Sequence, residues 1–334
     1  MAILVAALVI GLFSRSAAAQ EALQTGEAFV TRFSGTTTQD GRTVIDTSGT
    51  VGSIVDLRQS GGPPQGAHWV NEQQRSAVTA AQVGQVFGVA LDDASPPNIY
   101  LTATSAFGLH RNADNTGWMA GLWGPEGGPG TVWRINAANN YQPEIFANIT
   151  LDGRANSGAA LGNITFDRWN QQLYVSDRET GMIHRLRISD GADLGTFDHG
   201  VTGRANFLDA TSGATQSLAP VSFDSAKSAR TGDCPSGDFA RDPSCWNFAD
   251  FRRRVWGLAV RRDSPSGETR LYYATWGSQG FGHADHAGAG DDKRNALWSV
   301  RIDANGAFDA GSVRREFFLP DFFRSPEAIA SNRS

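Results

Sequence analysis

The densest run of residues able to do chemistry is G-F-G-H-A-D-H-A-G-A-G-D-D-K-R, from Gly280 to Arg294. His283, Asp285 and His286 offer two imidazoles and a carboxylate, and Asp291 or Asp292 can complete a shell. That donor set suits a transition metal. The surrounding Gly and Ala equally suit a solvated polar loop in which no helix fixes the imidazoles. A second run, N-T-G-W-M-A-G-L-W-G-P-E-G-G-P-G from Asn115 to Gly130, carries Trp118, Trp123 and Glu126. Indoles in such an insertion, with a carboxylate nearby, can stack on sugar rings or anchor a protein partner. The other reading folds both tryptophans back as a plug over neighbouring sheets, because large aromatics are mostly buried.

Three further groups have plainer readings. Asp177 and Glu179, with Asp167 near in sequence, could pair for acid–base work, but both Asp residues sit at turn positions where Asp bonds backbone amides. Arg252-Arg253-Arg254 and Arg261-Arg262 flank one strand and read as a solvated edge that discourages sheet pairing. Cys234 and Cys245 stand in C-P-S-G-D-F-A-R-D-P-S-C, where Pro and Gly mark a loop. They read as one disulfide closing that loop, contributing about 2–3 kcal/mol by restricting the unfolded chain. A metal site is the weaker reading there, with no His beside either thiol. No G-x-S-x-G elbow, P-loop or H-E-x-x-H motif is present. The expected role is therefore binding, with catalysis unassigned to any residue.

The elements that must position these groups come from a repeat. The first unit runs V-F-G-V-A-L-D from Val86, then N-I-Y-L-T-A from Asn98 and T-V-W-R-I from Thr131. The second runs L-G-N-I-T-F-D from Leu161, Q-Q-L-Y-V-S-D from Gln171 and M-I-H-R-L from Met182. The third runs V-W-G-L-A-V-R from Val255, R-L-Y-Y-A-T from Arg270 and A-L-W-S-V from Ala296. This aligns Tyr100 with Tyr174 and Tyr272, and Trp133 with His184 and Trp298. A fourth strand follows each unit, near Pro143–Ala147, Leu194–His199 and Val313–Leu319. Each repeat is a four-stranded meander with Asp, Asn, Pro and Gly turns. The inner strands are apolar on both faces, as in sheets stacked between sheets. The expected fold is all-β: a β-propeller of four-stranded antiparallel blades, incomplete at three clear blades plus an N-terminal partial one. Residues 20–80 supply that partial blade or ring-closing strands, and 81–334 the repeats, with long insertions at 110–130, 200–250 and 277–295. Pro326–Ala330 resembles another opening strand.

Over Leu161 to His199, the pattern L-Y-V-S-D (173–177) followed by G-M-I-H-R-L (181–186) resembles NHL-type repeats and the regucalcin and gluconolactonase-like propellers. The resemblance covers the second repeat best and specifies a blade, not an activity. It implies a divalent metal on the channel axis, held by a Glu and by Asn and Asp residues that open blades. Asn163 and Glu327 stand at such openings, whereas Gly88 and Gly257 bring no side-chain ligand, leaving few oxygens for a hard cation. The alternative function is thus a metal-dependent hydrolase of the lactonase-like kind.

Ile3 to Phe13 is an unbroken apolar or small-residue run, and Ala17-Ala18-Ala19 follows it. This reads as a secretory signal peptide over residues 1–19, shorter than the roughly 20 apolar residues a bilayer needs. It departs from the usual pattern in having no Lys or Arg beside Met1. The expected location is periplasmic or extracellular, with no transmembrane segment in the mature chain. With Gly at 38, Phe at 19 and Trp at 9 of 334 residues, composition favours short strands joined by tight turns. A formal charge of -5 argues against nucleic acid as a partner. The expected partner is a protein or a carbohydrate, met by the inserted loops.

Overall fold

The computed structural model describes residues 23–58, 74–114, 117–224, 248–280 and 283–320. Cys234, Cys245 and Glu327 lie outside them, as does the leader. The chain opens with β1 (Glu27–Thr31), the hairpin β2 (Thr36–Gln39) and β3 (Arg42–Ile45), then β4 (Thr50–Asp56) and β5 (Gln74–Thr79). β1, β4 and β5 form a three-stranded antiparallel sheet. One turn of helix, α1 (Ala80–Val83), leads from it into the repeats.

The first repeat is β6 (Val86–Leu91), β7 (Ile99–Ala103), β8 (Thr131–Ile135) and β9 (Pro143–Asn148). A small hairpin, β10 (Thr150–Leu151) and β11 (Arg154–Ala155), separates it from the second. The second is β12 (Leu161–Asp167), β13 (Gln172–Asp177), β14 (Met182–Arg187) and β15 (Asp193–Asp198). A helical turn, α2 (Thr202–Ala205), and a hairpin, β16 (Phe207–Asp209) and β17 (Ala214–Gln216), follow. The third repeat is β18 (Val255–Arg262), β19 (Thr269–Thr275), β20 (Ala296–Ile302) and β21 (Phe308–Phe318). Each repeat is an antiparallel meander in chain order. The third is widened because β16 pairs parallel to β21, so the hairpin covers an otherwise open edge.

The sheets stack face to face, and the first strands β6, β12 and β18 run side by side. An apolar layer fills each gap. Phe29, Val51 and Ile54 meet Ile99, Leu101 and Trp133; Tyr100, Val132 and Phe146 meet Ile164, Leu173 and Leu186; Tyr174, Ile183 and Phe197 meet Leu271, Tyr273 and Trp298. This is why β7 and β13 are buried on both faces. The repeat also carries a polar stitch. Thr102 Oγ1 accepts from the Gly88 N–H in its own sheet (2.9 Å) and donates to Gly162 O in the next (2.7 Å). Ser176 Oγ does the same with the Asn163 N–H (2.9 Å) and Trp256 O (2.8 Å). Thr31 Oγ1 donates to Phe87 O at 2.7 Å, the equivalent carbonyl of the first repeat. Gly88 sits where a Cβ would lie 2.6 Å from Thr102 Oγ1 and 2.8 Å from Gly162 O, so any side chain there would push neighbouring sheets away from each other.

The meander places all three long insertions at one end of the sheets. First strands begin, second strands end and third strands begin there, so the loops after β7, β15 and β19 all open on the same face. At the opposite end the connections are short turns around a recess of about 270 Å³ that includes Val89, Thr165, Val260 and the half-exposed Trp169. Among the described residues, no helix is long and apolar enough to cross a membrane.

Candidate functional site

On the insertion face, the shortest connection is the turn Asp177–Gly181 between β13 and β14. Asp177 builds it by accepting from the Glu179 N–H (2.9 Å) and Thr180 Oγ1 (2.9 Å), while Asn156 Nδ2 bonds the same carboxylate at 2.7 Å. The turn is bolted to its surroundings. The Arg178 N–H donates to Ala160 O (3.1 Å), the Ala249 N–H to Arg178 O (2.9 Å), and Arg253 Nε to Thr180 O (2.7 Å). Glu179 is fully buried and accepts from Arg154 and from both the amide and the hydroxyl of Ser157. Burial pushes its carboxyl pKa up. The Asp residues thus make turns: Asp167 likewise takes the Trp169 N–H at 3.0 Å.

Arg178 points under this turn. Its guanidinium lies 4.3 Å from the Trp256 ring and 4.6 Å from the Phe248 ring, and Nη1 donates to Ser105 Oγ at 3.2 Å. The group is 3 % exposed, and its buried Nε has no hydrogen-bond partner. Burial, with the charge of Arg254 beside it, pulls its pKa down to about 9. Arg254, also buried, donates to Ala249 O and Gln279 O, and burial lowers it to about 10.

Over this cluster runs a line of half-buried rings. His110 stacks on Phe33 (5.4 Å between centroids), Phe33 on Phe107 (5.5 Å), and Phe107 meets Phe87 edge-on (6.2 Å). Phe87 touches Trp256 (5.4 Å), and Trp256 meets Trp276 (5.8 Å). Phe87, Gly162 and Trp256 occupy the same position of successive repeats. Gly162 has no side chain, so the two flanking rings meet across it. The line joins the segment between β1 and β2, the first insertion, the first strands of two repeats and the start of the loop after β19. Such a surface can stack on ring-shaped or apolar ligand faces. Ser105 Oγ, the hydroxyl that accepts from Arg178, donates to Ala159 O (2.8 Å).

The sites expected from sequence fare differently. Trp123 is 9 % exposed and packs in the core with Leu122 and Val83, so it is no exposed anchor. Trp118 meets it edge-on at 5.5 Å and lies under Arg111, while Glu126 is solvent-exposed. The plug is what forms, because the Gly-rich insertion lets both indoles turn inward. The four candidate metal ligands do not converge. His283 Nε2 pairs with Asp250 at 3.0 Å, His286 Nε2 bonds Gly277 O at 3.0 Å, and the Asp285 and Asp291 side chains are 66 % and 65 % exposed. Phe251 wedges against both imidazoles. Among the described residues no three His, Cys, Asp or Glu side chains are placed to hold a metal. Of the axial positions, Asn163 Oδ1 accepts from the Ile164 N–H (2.7 Å), Gly88 and Gly257 bring no side chain, and Glu327 lies outside the described residues. Arg253 and Arg254 are buried at 1 % and 2 % exposure, correcting the reading of a solvated edge. The second insertion folds back over them and supplies Val221 O and Ala249 O as acceptors. Arg178 and the ring line were missed. The visible signal was that V-F-G and V-W-G bring an aromatic to the repeat position where L-G-N has Gly.

No family model matches the chain, and no curated protein resembles it in sequence. Among solved structures it is similar to a candidate 6-phosphogluconolactonase from Bacteroides uniformis, at 12% identity and a TM-score of 0.36 over 88% of this chain and 60% of that one. It is also similar to two proteins of unknown function. One, from Bacteroides thetaiotaomicron, has 10% identity and a TM-score of 0.35 over 81% of this chain and 45% of that one. The other, from Bacteroides caccae, has 13% identity and a TM-score of 0.33 over 90% and 70%. The chain spans less than two thirds of the length of the first two. None of these likenesses carries an activity to this chain.

Proposed function

We propose that this chain is an exported, non-catalytic protein of β-propeller type, akin to the NHL and regucalcin–gluconolactonase-like propellers, that binds a carbohydrate on its insertion face. The observation that supports this reading is the line of half-buried rings from His110 to Trp276. Sugar rings present apolar C–H faces that stack on such surfaces, and a rigid stack of sheets holds the aromatics in place. The nearby polar groups are occupied in building turns, which favours binding over reaction.

The test is titration of the purified protein with neutral oligosaccharides, followed by tryptophan fluorescence, since Trp256 and Trp276 lie in the line. Saturable change is expected, with Trp256→Ala weakening it by about tenfold or more. Trp169→Ala, at the opposite end of the first strands, leaves it intact. Saturable binding that Trp256→Ala does not touch, or none to any oligosaccharide, overturns the proposal. Capture of a protein partner sensitive to Trp256→Ala, without sugar binding, would transfer the face to protein recognition and overturn it too.

A further inference from the structure

We infer that the same face selects ligands bearing an anionic group, a carboxylate or phosphate, and that Arg178 is the residue that receives it. This rests on the ring-binding reading above and adds the charge of the ligand. Four other buried arginines each meet a carboxylate. Arg253 pairs with Asp198 at 2.8 Å, and Arg204 takes both oxygens of Asp292 at 3.0 and 2.9 Å. Arg270 pairs with Glu268 at 3.0 Å, and Arg315 with Asp209 at 3.1 Å. Arg178 is as deeply buried and has no carboxylate in ion-pair contact among the described residues. Asp177, next in sequence, spends its oxygens on the turn.

Ring faces and one hydroxyl do not replace the hydration of a guanidinium, whose planar fork of N–H donors matches an oxyanion. The one hydroxyl it meets, Ser105 Oγ, is itself committed to Ala159 O. A second buried guanidinium, Arg254, adds to the local positive field and donates to the main-chain carbonyls of Ala249 and Gln279. An anion brought in on a ring stacked against Trp256 would satisfy the orphan Nε and neutralise the pair. Desolvated, charge-assisted bonds of this kind are the strong ones.

The experiment compares three probes on the whole chain at constant ionic strength: methyl glucoside, sodium glucuronate and inorganic phosphate. Tryptophan fluorescence and thermal melting are the readouts. Glucuronate is expected to bind at least tenfold tighter than methyl glucoside, and Arg178→Gln to collapse that difference. Arg187→Gln, an exposed arginine of the same sheet, keeps it. Phosphate that competes with glucuronate supports one shared oxyanion slot, and phosphate that binds in its place assigns the slot to phosphate-bearing ligands. Should Arg178→Gln fail to fold, Ser105→Ala alters the partner of Nη1 and is expected to shift glucuronate affinity several-fold in a folded protein. Equal affinity for the acid and neutral sugars, or an acid preference that survives both substitutions, overturns the inference and leaves ring binding standing. Loss of all sugar binding in the unaltered chain removes the ring reading itself.

Discussion

Several arginines of this molecule are buried and held by carboxylates and main-chain carbonyls. Arg253 is 1 % exposed and ties three segments together: Nε to Thr180 O at 2.7 Å, Nη1 to Val221 O, and an ion pair with Asp198 at 2.8 Å. Removing one partner of such a pair leaves the others desolvated without compensation, which costs about 3–5 kcal/mol. Arg253→Met is therefore expected to lower the urea midpoint by that equivalent. Arg187, paired with Asp190 at 2.9 Å with both side chains half exposed, gives the contrast. There screening and side-chain entropy hold the loss from Arg187→Met under about 1 kcal/mol. Equal losses from the two would show that the second insertion does not close over Arg253 in solution. A neighbouring residue position repeats a subtler theme. Trp298 Nε1 donates to Thr275 Oγ1 at 3.2 Å, and His184 Nε2 approaches Asp177 at 4.0 Å. In the first repeat Ala103 stands where Thr275 stands in the third, and Trp133 Nε1 is buried without a hydrogen-bond partner.

Between elements, the stitches are what hold one sheet against the next beyond apolar packing. Thr102→Val keeps the volume and removes the hydroxyl, so Gly88 N–H and Gly162 O lose a buried partner together. The expected cost is about 1–3 kcal/mol by chemical denaturation, and a change within experimental error would mean the two sheets are not in register through Thr102. Ala274 occupies the same place in the third repeat, so the series of hydroxyls stops there. The strands themselves were legible. β8 and β12 have the bounds their patterns imply, and Tyr100, Tyr174 and Tyr272 fall in one register. Period and turn chemistry are local, so sequence carries them. The hairpin β16–β17 and its parallel pairing with β21 were not legible, because the hairpin is three residues a side inside an insertion and depends on a distant edge for pairing. The candidate site was hidden for a similar reason. Arg178 in D-R-E-T-G looks like any turn arginine until Phe248 and Trp256, far along the chain, close on it. The arginine run at 252–254 was misread because charge pattern alone does not show what folds over it.

Over the whole molecule, these buried groups should set how stability follows pH, and two of them act in opposite directions. His199 is fully enclosed, with its Nδ1 3.1 Å from Tyr273 Oη, and burial plus the charges of Arg204 and Arg253 hold its pKa well below 6.5. As pH falls below 6.5, the unfolded chain takes up a proton that the folded chain refuses, so stability falls towards acid. A group of this kind contributes a slope of about 1.4 kcal/mol per pH unit. His110, also depressed by burial, adds to the same slope. Glu179 runs the other way. Its carboxyl is raised above 4.5 by burial, so just above that pH the folded chain keeps a proton the unfolded chain has lost, and stability falls as pH rises. The two effects overlap above pH 4.5 and offset each other in the native sequence. His199→Gln, which keeps a polar atom for Tyr273, should flatten the gain in stability between about pH 4.5 and 6.5. Glu179→Gln should steepen it, because only the histidine slope remains. Urea midpoints taken across that window for the native chain and both variants check the pair. Curves that move in the same direction would mean that one of these two groups is open to solvent when the chain is folded.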